Sequence, residues 1–256
     1  MLLVGACATV LAVLQVLAAA DSRDADRLRL EANMAESALE ERLEAHNALL
    51  RGTAGLFAGS DSVDAREFAA YVNRLGLGTR YPGVMGIGYT RWAEGEDARR
   101  RVEADLRAQG FTDFRIWPEG QRPAYAPVTY VAPADVRNRS ALGYDMYSEA
   151  RRREAILRSI NSGQLAASGK VELVQEVESS KQPGFLIYLA VRDSHTGALQ
   201  GLVYSPLRAG DLLGTVFPAR PDRLVDVAVF DGEPRAENQL FVTEMGAAAK
   251  SRLDTR

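Results

Sequence analysis

Apolar and polar positions repeat with different periods in different parts of the chain. Residues 2–20 are nearly all apolar, and Gln15 is their only strongly polar member. From residue 21 to about residue 56 there is no proline, and apolar residues recur at helical spacing between charged ones. These two patterns predict a transmembrane anchor at residues 1–20 and a long stalk helix at residues 21–60.

A cleaved secretory signal is the alternative interpretation of residues 1–20, because Ala18, Ala19 and Ala20 resemble the small residues of a cleavage site. The apolar run is longer than the core of a usual signal peptide and continues into a charged helix, which favours an anchor. Both interpretations place the following residues outside the cytoplasmic membrane. We therefore expect an inner-membrane protein whose later residues lie on the periplasmic or extracellular side.

The stalk helix carries an apolar stripe that includes Leu28, Leu39 and Leu43. A lone helix of this length would leave the stripe in water, so the stripe must pack on the globular part, on a second copy of itself, or on both. A homodimer through the stalk is therefore one expected arrangement.

After residue 60, helical and strand periods alternate. Asp64 and Glu67 form a capping-box pattern ahead of a helix. The predicted helices are Ala65–Leu75, Glu94–Gln109, Glu149–Gly163 and Leu207–Phe217, and the predicted strands are Gly83–Trp92, Asp113–Trp117, Tyr125–Val131, Val171–Val177, Gly184–Arg192, Leu199–Pro206, Leu224–Phe230 and Gln239–Thr243.

Short turns join the three central strands of the second half into an antiparallel meander. The order of elements predicts an α+β fold, in which the stalk helix precedes two antiparallel-sheet domains with helices on their faces. The larger domain is expected at residues 61–206 and the smaller at 207–245, followed by a polar tail at 246–256.

Composition narrows the function. The net charge of −3 gives no indication of a nucleic-acid partner. Cys7 is the single cysteine, so neither a disulfide within the chain nor a thiolate metal site is possible. His46 and His195 are far apart, and no glycine-rich phosphate loop or Ser-His-Asp pattern is present. We predict no catalytic residue, metal or cofactor. The alternative is a hydrolase in which Asp145 and Glu149, four residues apart, act as paired carboxylates.

Residues 137–163 hold one carboxylate in an apolar and aromatic neighbourhood. Asp145 lies in sequence among Leu142, Tyr144, Met146 and Tyr147. A carboxylate in such surroundings is costly to desolvate unless a group hydrogen-bonds it. Two interpretations remain open. Asp145 accepts hydrogen bonds from backbone N–H groups at the start of the following helix, or it anchors a ligand in a pocket.

Six segments occur along the chain in a fixed order that resembles a known family. They are YPGVMGIGY at 81–89, FRIWP at 114–118, YAPV at 125–128, LGYDMYSE at 142–149, QPGFL at 182–186 and YSPLRAGDL at 204–212. Together they resemble the CHASE domain, the extracellular sensory module of histidine kinases, nucleotide cyclases and diguanylate cyclases or phosphodiesterases. The family includes the cytokinin-binding part of plant cytokinin receptors. The resemblance covers roughly residues 21–243.

The resemblance implies a long amino-terminal helix followed by two PAS-like domains, of which the membrane-distal one holds the ligand. It also implies dimers that form through the helices and the distal domains. In the cytokinin receptors, an aspartate that matches Asp145 hydrogen-bonds the adenine ring, and a buried charge-assisted bond of this kind is strong and selective. Ala167 and Glu176 fall at pocket positions in the same alignment. Glu176 stands where a small hydroxyl residue is expected, which argues against cytokinin itself.

The predicted ligand site combines these residues with their neighbours. Tyr144 and Met146 flank the aspartate, and Tyr130 and Leu186 are strand residues that could face the same cavity. The full set is Asp145, Tyr144, Met146, Tyr130, Ala167, Glu176 and Leu186. We expect a sensor that binds a small organic ligand, of which a purine or cytokinin-like molecule is one candidate, and that passes a shift through the stalk helix. The alternative is a dimerisation module without a ligand.

Overall fold

The computed structural model describes residues 2–175, 181–218 and 227–243. Within the first of these ranges, the side chains of residues 2–25, 27 and 31 are not described. The chain divides into two compact units, Met1–Glu44 and Ala45–Arg256.

The first unit is helical throughout its described residues. It is part of helix α1, which runs over Leu2–Ala58. Leu28, Leu30 and Met34 are 50%, 60% and 64% exposed, whereas Leu39 and Leu43 of the predicted stripe are half-buried. No helix in the fully described part of the chain is both long and apolar enough to cross a bilayer. The predicted anchor at residues 1–20 lies outside that part.

The last turns of α1 belong to the second unit, and the helix ends close to the predicted end of the stalk at residue 60. The helix includes Gly52 and Gly55 and ends at Ala58. A glycine in a helix costs about 1 kcal/mol relative to alanine. Burial of Leu50, Thr53 and Phe57 offsets this cost, because these side chains pack in the core of the unit.

The second unit contains six further helices and ten strands within the described residues. The helices are α2 (Ala65–Arg74), α3 (Leu77–Arg80), α4 (Gly95–Ala108), α5 (Val136–Arg139), α6 (Ala150–Ser162) and α7 (Ala209–Val216). The strands are β1 (Ile87–Arg91), β2 (Ala93–Glu94), β3 (Ala124–Tyr125), β4 (Val128–Ala132), β5 (Ala166–Ala167), β6 (Val171–Glu172), β7 (Pro183–Arg192), β8 (Leu199–Arg208), β9 (Ala228–Phe230) and β10 (Gln239–Val242). Short 3₁₀ turns occur at Met146–Ser148 and Ala236–Asn238.

The main sheet has the order β4-β1-β8-β7-β5, and β6 also pairs with β7. All of its pairings are antiparallel, which confirms the α+β class and the predicted meander of β6, β7 and β8. In the centre of the sheet, Tyr188 lies opposite Tyr204, and Tyr204 lies opposite Gly88. Neighbouring residues of a strand point to opposite faces, so these register pairs share one face.

Predicted helix ends are well reproduced. Asp64 accepts from Glu67 N at 2.8 Å, and Asp64 N donates to the Glu67 carboxylate at 3.0 Å, which completes the capping box of α2. The carboxylate of Glu149 accepts from Arg151 N and Arg152 N at the start of α6. Gly163 ends α6 with a φ of 67°, a left-handed conformation that glycine adopts without steric cost.

Three predicted strands differ from the structure. The predicted strand Tyr125–Val131 is divided into β3, which pairs with β2, and β4 of the main sheet. Residues 113–117 form no strand, because side chains of α4 take their backbone groups: Ile116 N donates to Glu103 at 2.9 Å, and Arg107 Nε donates to Phe114 O at 3.0 Å. The predicted strand Val171–Val177 is present only as β6, and its last two residues lie outside the described residues. Most of the predicted strand Leu224–Phe230 also lies outside them.

The described residues of the predicted smaller domain form α7 and a β9–β10 hairpin. Phe217 stacks on Phe241 with ring centroids 6.1 Å apart, and α7 also packs on β7. Strand β8 continues through the predicted boundary to Arg208. A second PAS-like domain and its boundary at residue 207 stay predictions, and the polar tail at 246–256 lies outside the described residues.

The two faces of the main sheet carry different side chains. One face carries an aromatic row, namely Phe57 of α1, Phe68 of α2, Tyr89 of β1 and Tyr130 of β4, with Phe57 stacked on Tyr89 at 4.0 Å. On the other face, buried residues pack beneath α6. This α6 cluster consists of Ala126, Val128, Val131, Met146, Ala155, Ile156, Ala166, Val171, Leu173, Leu186, Tyr188, Leu202 and Tyr204.

We predict that Gly88→Ala lowers the free energy of unfolding by about 1–3 kcal/mol, the usual cost of overpacking a core. A Cβ at Gly88 would overlap the ring of Tyr204, which lies directly over this glycine. Urea denaturation followed by circular dichroism measures the change.

The matched control is Gly55→Ala. Nothing lies within 4 Å of a Cβ at Gly55, which is inside helix α1. This substitution is expected to leave stability unchanged or to raise it by up to about 1 kcal/mol. Equal stability of both variants would show that Tyr204 does not depend on the close approach to Gly88.

Candidate functional site

Residues 141–149 lie at the edge of the main sheet, held between two other segments. Gly143 N donates to Val128 O, and Trp117 N donates to Gly143 O, each at 2.9 Å. Gly143 has a φ of 79°, and a side chain there would overlap Arg115 O, so only glycine fits between the two segments. This close approach brings Asp145 under the 118–126 loop.

Asp145 is fully buried, and the protein itself engages its carboxylate. Its Oδ1 accepts from Ala126 N at 2.8 Å and from Tyr147 N at 3.0 Å. Its Oδ2 lies 3.3 Å from Arg122 Nη1, a charge contact whose geometry does not make a hydrogen bond. The bond to Tyr147 N is a cap of the following 3₁₀ turn. Asp145 therefore joins the turn that leads into α6 to the backbone that precedes β4.

Arg122 closes the outer side of this carboxylate. Its guanidinium also donates to the carbonyls of Pro118, Glu119 and Gly120 at 3.1–3.3 Å, which fixes it over the loop. A ligand that reached Asp145 Oδ2 from this side would have to displace Arg122.

Burial has the largest effect on the pKa of Asp145. Loss of solvent raises the pKa of its carboxyl above the ordinary value, and the hydrogen bonds from Ala126 and Tyr147 and the charge of Arg122 only partly oppose the rise. The carboxylate is thus costly to keep ionised in the folded protein.

The two neighbours of Asp145 point to the α6 cluster. The hydroxyl of Tyr144 accepts from Arg152 Nη1 at 2.7 Å, and its ring packs on Trp117 with centroids 4.8 Å apart. Met146 is buried in the cluster, where its sulfur accepts weakly from the Tyr188 hydroxyl at 3.7 Å. Leu186 is a member of the same cluster. The structure therefore brings Tyr144, Met146 and Leu186 together.

The other predicted ligand residues lie elsewhere. Tyr130 belongs to the aromatic row on the opposite face, and its hydroxyl donates to Gln109 at 3.1 Å. Ala167 is exposed on β5. Glu176 lies outside the described residues. A ligand role for each of these three residues stays a prediction, but Tyr130 and Ala167 do not share the α6 cluster.

Sequence reasoning missed Arg152, which is 3% exposed. The buried residues of α6 are Arg152, Ala155, Ile156 and Ser159, spaced as one helix face. The sequence alone could have indicated Arg152, because it is an arginine on a helix face that otherwise carries small or apolar residues. Tyr188 and Tyr204 were missed as well, although both are hydroxyl-bearing residues inside strands that are nearly all apolar.

Other kinds of site have less support. Within the described residues, no group of three or more His, Cys, Asp and Glu lies close enough to hold a metal ion. A cleft of about 270 Å³ lies beside α3, α5 and the start of α7, and Asp145 is not among the residues that line it. Asp145 and Glu149, the paired carboxylates of the hydrolase alternative, both accept backbone N–H groups instead.

The profile of the CHASE domain family matches residues 61–242, which is more than half of the chain. The chain belongs to the CHASE family. CHASE domains are extracellular or periplasmic sensor modules and not enzymes, so this chain is a receptor part of a signal-transduction protein. No curated protein matches the sequence.

Two solved structures are distantly similar to this CHASE domain. One is the ligand-binding domain of PctC, an amino acid chemoreceptor of Pseudomonas aeruginosa PAO1, in complex with GABA. It is 14% identical, with 82% of this chain and 71% of that chain covered and a TM-score of 0.49. The other is methyl-accepting chemotaxis protein X, which is 12% identical, with coverages of 86% and 81% and a TM-score of 0.36.

We predict that Asp145→Ala lowers the free energy of unfolding by about 2–4 kcal/mol, because it leaves two buried N–H groups, those of Ala126 and Tyr147, without an acceptor. Asp145→Asn keeps an acceptor oxygen and should cost less. Thermal or urea denaturation of both variants makes the comparison.

The pH dependence of the same pair tests the electrostatics. A carboxyl whose pKa is raised on folding binds its proton more tightly in the folded state. Stability therefore falls as pH rises from the unfolded pKa, about 3.9, through the folded value. The stability of the wild type relative to Asp145→Asn should decrease over this window. An increase would mean that Arg122 and the N–H groups outweigh burial.

Proposed function

We propose that this CHASE domain binds a small organic ligand at the α6 cluster and passes the resulting shift to helix α1. The observation that supports the proposal best is a pair of buried polar atoms in or against this cluster. Arg152 Nε and Tyr204 Oη have no hydrogen-bond partner among the described residues.

Unpaired buried polar atoms are costly. Each one costs about 1–3 kcal/mol in a protein interior, and native interiors contain few of them. A ligand that supplies an acceptor or a donor at this place would convert that cost into binding free energy. The surroundings suit an organic body, because partly buried aromatic side chains pack against the cluster: Trp92, Tyr144 and Tyr147.

A purine or cytokinin-like ligand is the second candidate, and Asp145 favours it. Asp145 Oδ2 is buried without a hydrogen bond, and a carboxylate oxygen accepts well from an exocyclic amine. In this variant of the proposal, Arg122 moves aside, Asp145 accepts from the ligand, and Tyr144, Met146 and Leu186 contact its ring.

A continuous set of contacts supports transmission to α1. Tyr204 of the cluster lies over Gly88, and the next residue, Tyr89, stacks on Phe57 near the end of α1. A ligand that moves Tyr204 would act on β1 and through it on the helix. Such a shift can be only as large as the difference in the ligand's affinity for the two states. The exposed side chains of Leu28, Leu30 and Met34 support a homodimer through the stalk.

Ligand binding is expected to raise the melting temperature and to change tryptophan fluorescence. Both tryptophans of the chain are reporters, because Trp92 packs edge-on against Tyr147 at 5.4 Å and Trp117 against Tyr144 at 4.8 Å. A panel of purines, small carboxylic acids and amino acids is screened by thermal shift. A compound at one hundred times its dissociation constant adds about 2.7 kcal/mol of stability.

Each stabilising compound is then titrated against Trp92→Phe and Trp117→Phe, which leave one reporter each. We expect both reporters to respond with the same dissociation constant. A panel in which nothing stabilises the protein, or in which neither tryptophan responds, would favour the ligand-free dimerisation module.

A further inference from the structure

Arg152 is a buried cation at the centre of the proposed ligand site. It lies on the inward stripe of α6 and is 3% exposed. Its Nη1 donates to the Tyr144 hydroxyl and its Nη2 to Glu172 O, both at 2.7 Å, and it lies over the Tyr144 ring at 5.1 Å. All of these partners are neutral.

Arg152 differs in this respect from Arg99 and Arg158. Arg99 pairs with Glu96 and Glu103, and Arg158 on the same helix pairs with Glu154. No carboxylate of the described residues lies within 4 Å of Arg152. The nearest acidic residues in sequence are engaged elsewhere: Glu154 pairs with Arg158, and the two oxygens of Glu149 accept backbone N–H groups. Buried charges in proteins are normally paired.

Two tyrosines complete the surroundings of Arg152. Tyr188 and Tyr204 are fully buried with ring centroids 6.1 Å apart. Burial raises the pKa of both hydroxyls, and the positive charge of Arg152 opposes the rise at each of them, so both lie within its field. The Tyr204 hydroxyl has no hydrogen-bond partner among the described residues, and that of Tyr188 has only the sulfur of Met146. Both hydroxyls are therefore available as donors.

We propose that Arg152 and the hydroxyls of Tyr188 and Tyr204 bind the carboxylate of a small acid. This inference rests on the proposed function and adds the chemical class of the ligand. A carboxylate offers acceptors to Arg152 Nε and to both hydroxyls, and a guanidinium matches its geometry. One arginine neutralises one negative charge, so a monoanion fits better than a phosphate dianion. The aromatic side chains beside the cluster suit an acid with an aromatic or apolar body.

The test compares an acid with a neutral molecule of nearly the same shape. Phenylacetate and phenylacetamide, and benzoate and benzamide, are titrated into the purified full chain by calorimetry at neutral pH. We expect each acid to bind the wild type about 10- to 100-fold more tightly than its amide, the range for a hydrogen bond to a charged group.

Variants then assign the preference to Arg152. Arg152→Met should remove the preference for the acid, and Arg152→Lys, which keeps the charge but loses Nε, should reduce it. Arg158→Met is the matched control, because this arginine is on the same helix but half exposed, and it should keep the wild-type preference. Far-ultraviolet circular dichroism checks that each variant is folded. If Arg152→Met does not fold, the acid–amide preference of Arg152→Lys still shows whether Arg152 binds the carboxylate.

The outcomes separate this inference from the proposed function. Amides that bind as tightly as acids, or an acid preference that survives in Arg152→Met or is undiminished in Arg152→Lys, would overturn the carboxylate role and leave a ligand site at the cluster. If no acid or amide binds and no compound of the wider panel stabilises the protein, the proposed function itself is contradicted.

Discussion

A fully buried carboxylate must find its hydrogen bonds inside the protein, and this requirement organises the region around Asp145. The carboxylate draws together Ala126, just before β4, and Tyr147, just before α6. The first segment leads into the sheet, and the second leads into the helix that covers the sheet. The positions of Tyr144 and Met146 follow from the same bonds.

We assign a structural role to one charged residue and a recognition role to another. Asp145 has two backbone donors and a neighbouring cation, so its charge is largely engaged by the fold. Arg152 has only neutral hydrogen-bond partners among the described residues, and its charge acts on the buried hydroxyls of Tyr188 and Tyr204. The Oδ1 atom of Asp145 caps the following turn, as one of the two interpretations predicted. Its Oδ2 atom has no hydrogen bond, so it could accept one from a purine. Arg152 is therefore the better candidate for binding a ligand.

Much of the fold could be predicted because its signals are local. The capping box at Asp64 and Glu67 and the glycine after α6 depend only on nearby residues. The region 113–117 was wrong as a strand because side chains of α4, a separate element, hold its backbone. Tyr130 was expected as a strand residue that could face the ligand cavity, but it packs with Phe68 and Tyr89 on the opposite face of the sheet. The register shifts between Tyr89 and Thr90, so that one residue of β4 is unpaired.

The candidate site was predicted only in part, for a related reason. Tyr144 and Met146 are neighbours of the aspartate in sequence, and Leu186 was expected only as a strand residue that could face the same cavity. Arg152 could be found by its position on the apolar stripe of α6, but its lack of a carboxylate partner depends on which distant side chains surround it. That information exists only in the assembled fold, where Gly88 leaves room for the ring of Tyr204.

The decisive measurement is a crystal structure of the full chain grown with phenylacetate. We predict a carboxylate within hydrogen-bond distance of Arg152 Nε and Tyr204 Oη, with the ring of the acid among the aromatic side chains beside the α6 cluster. Ordered water on both atoms in a closed cluster, with no acid bound there, would contradict it.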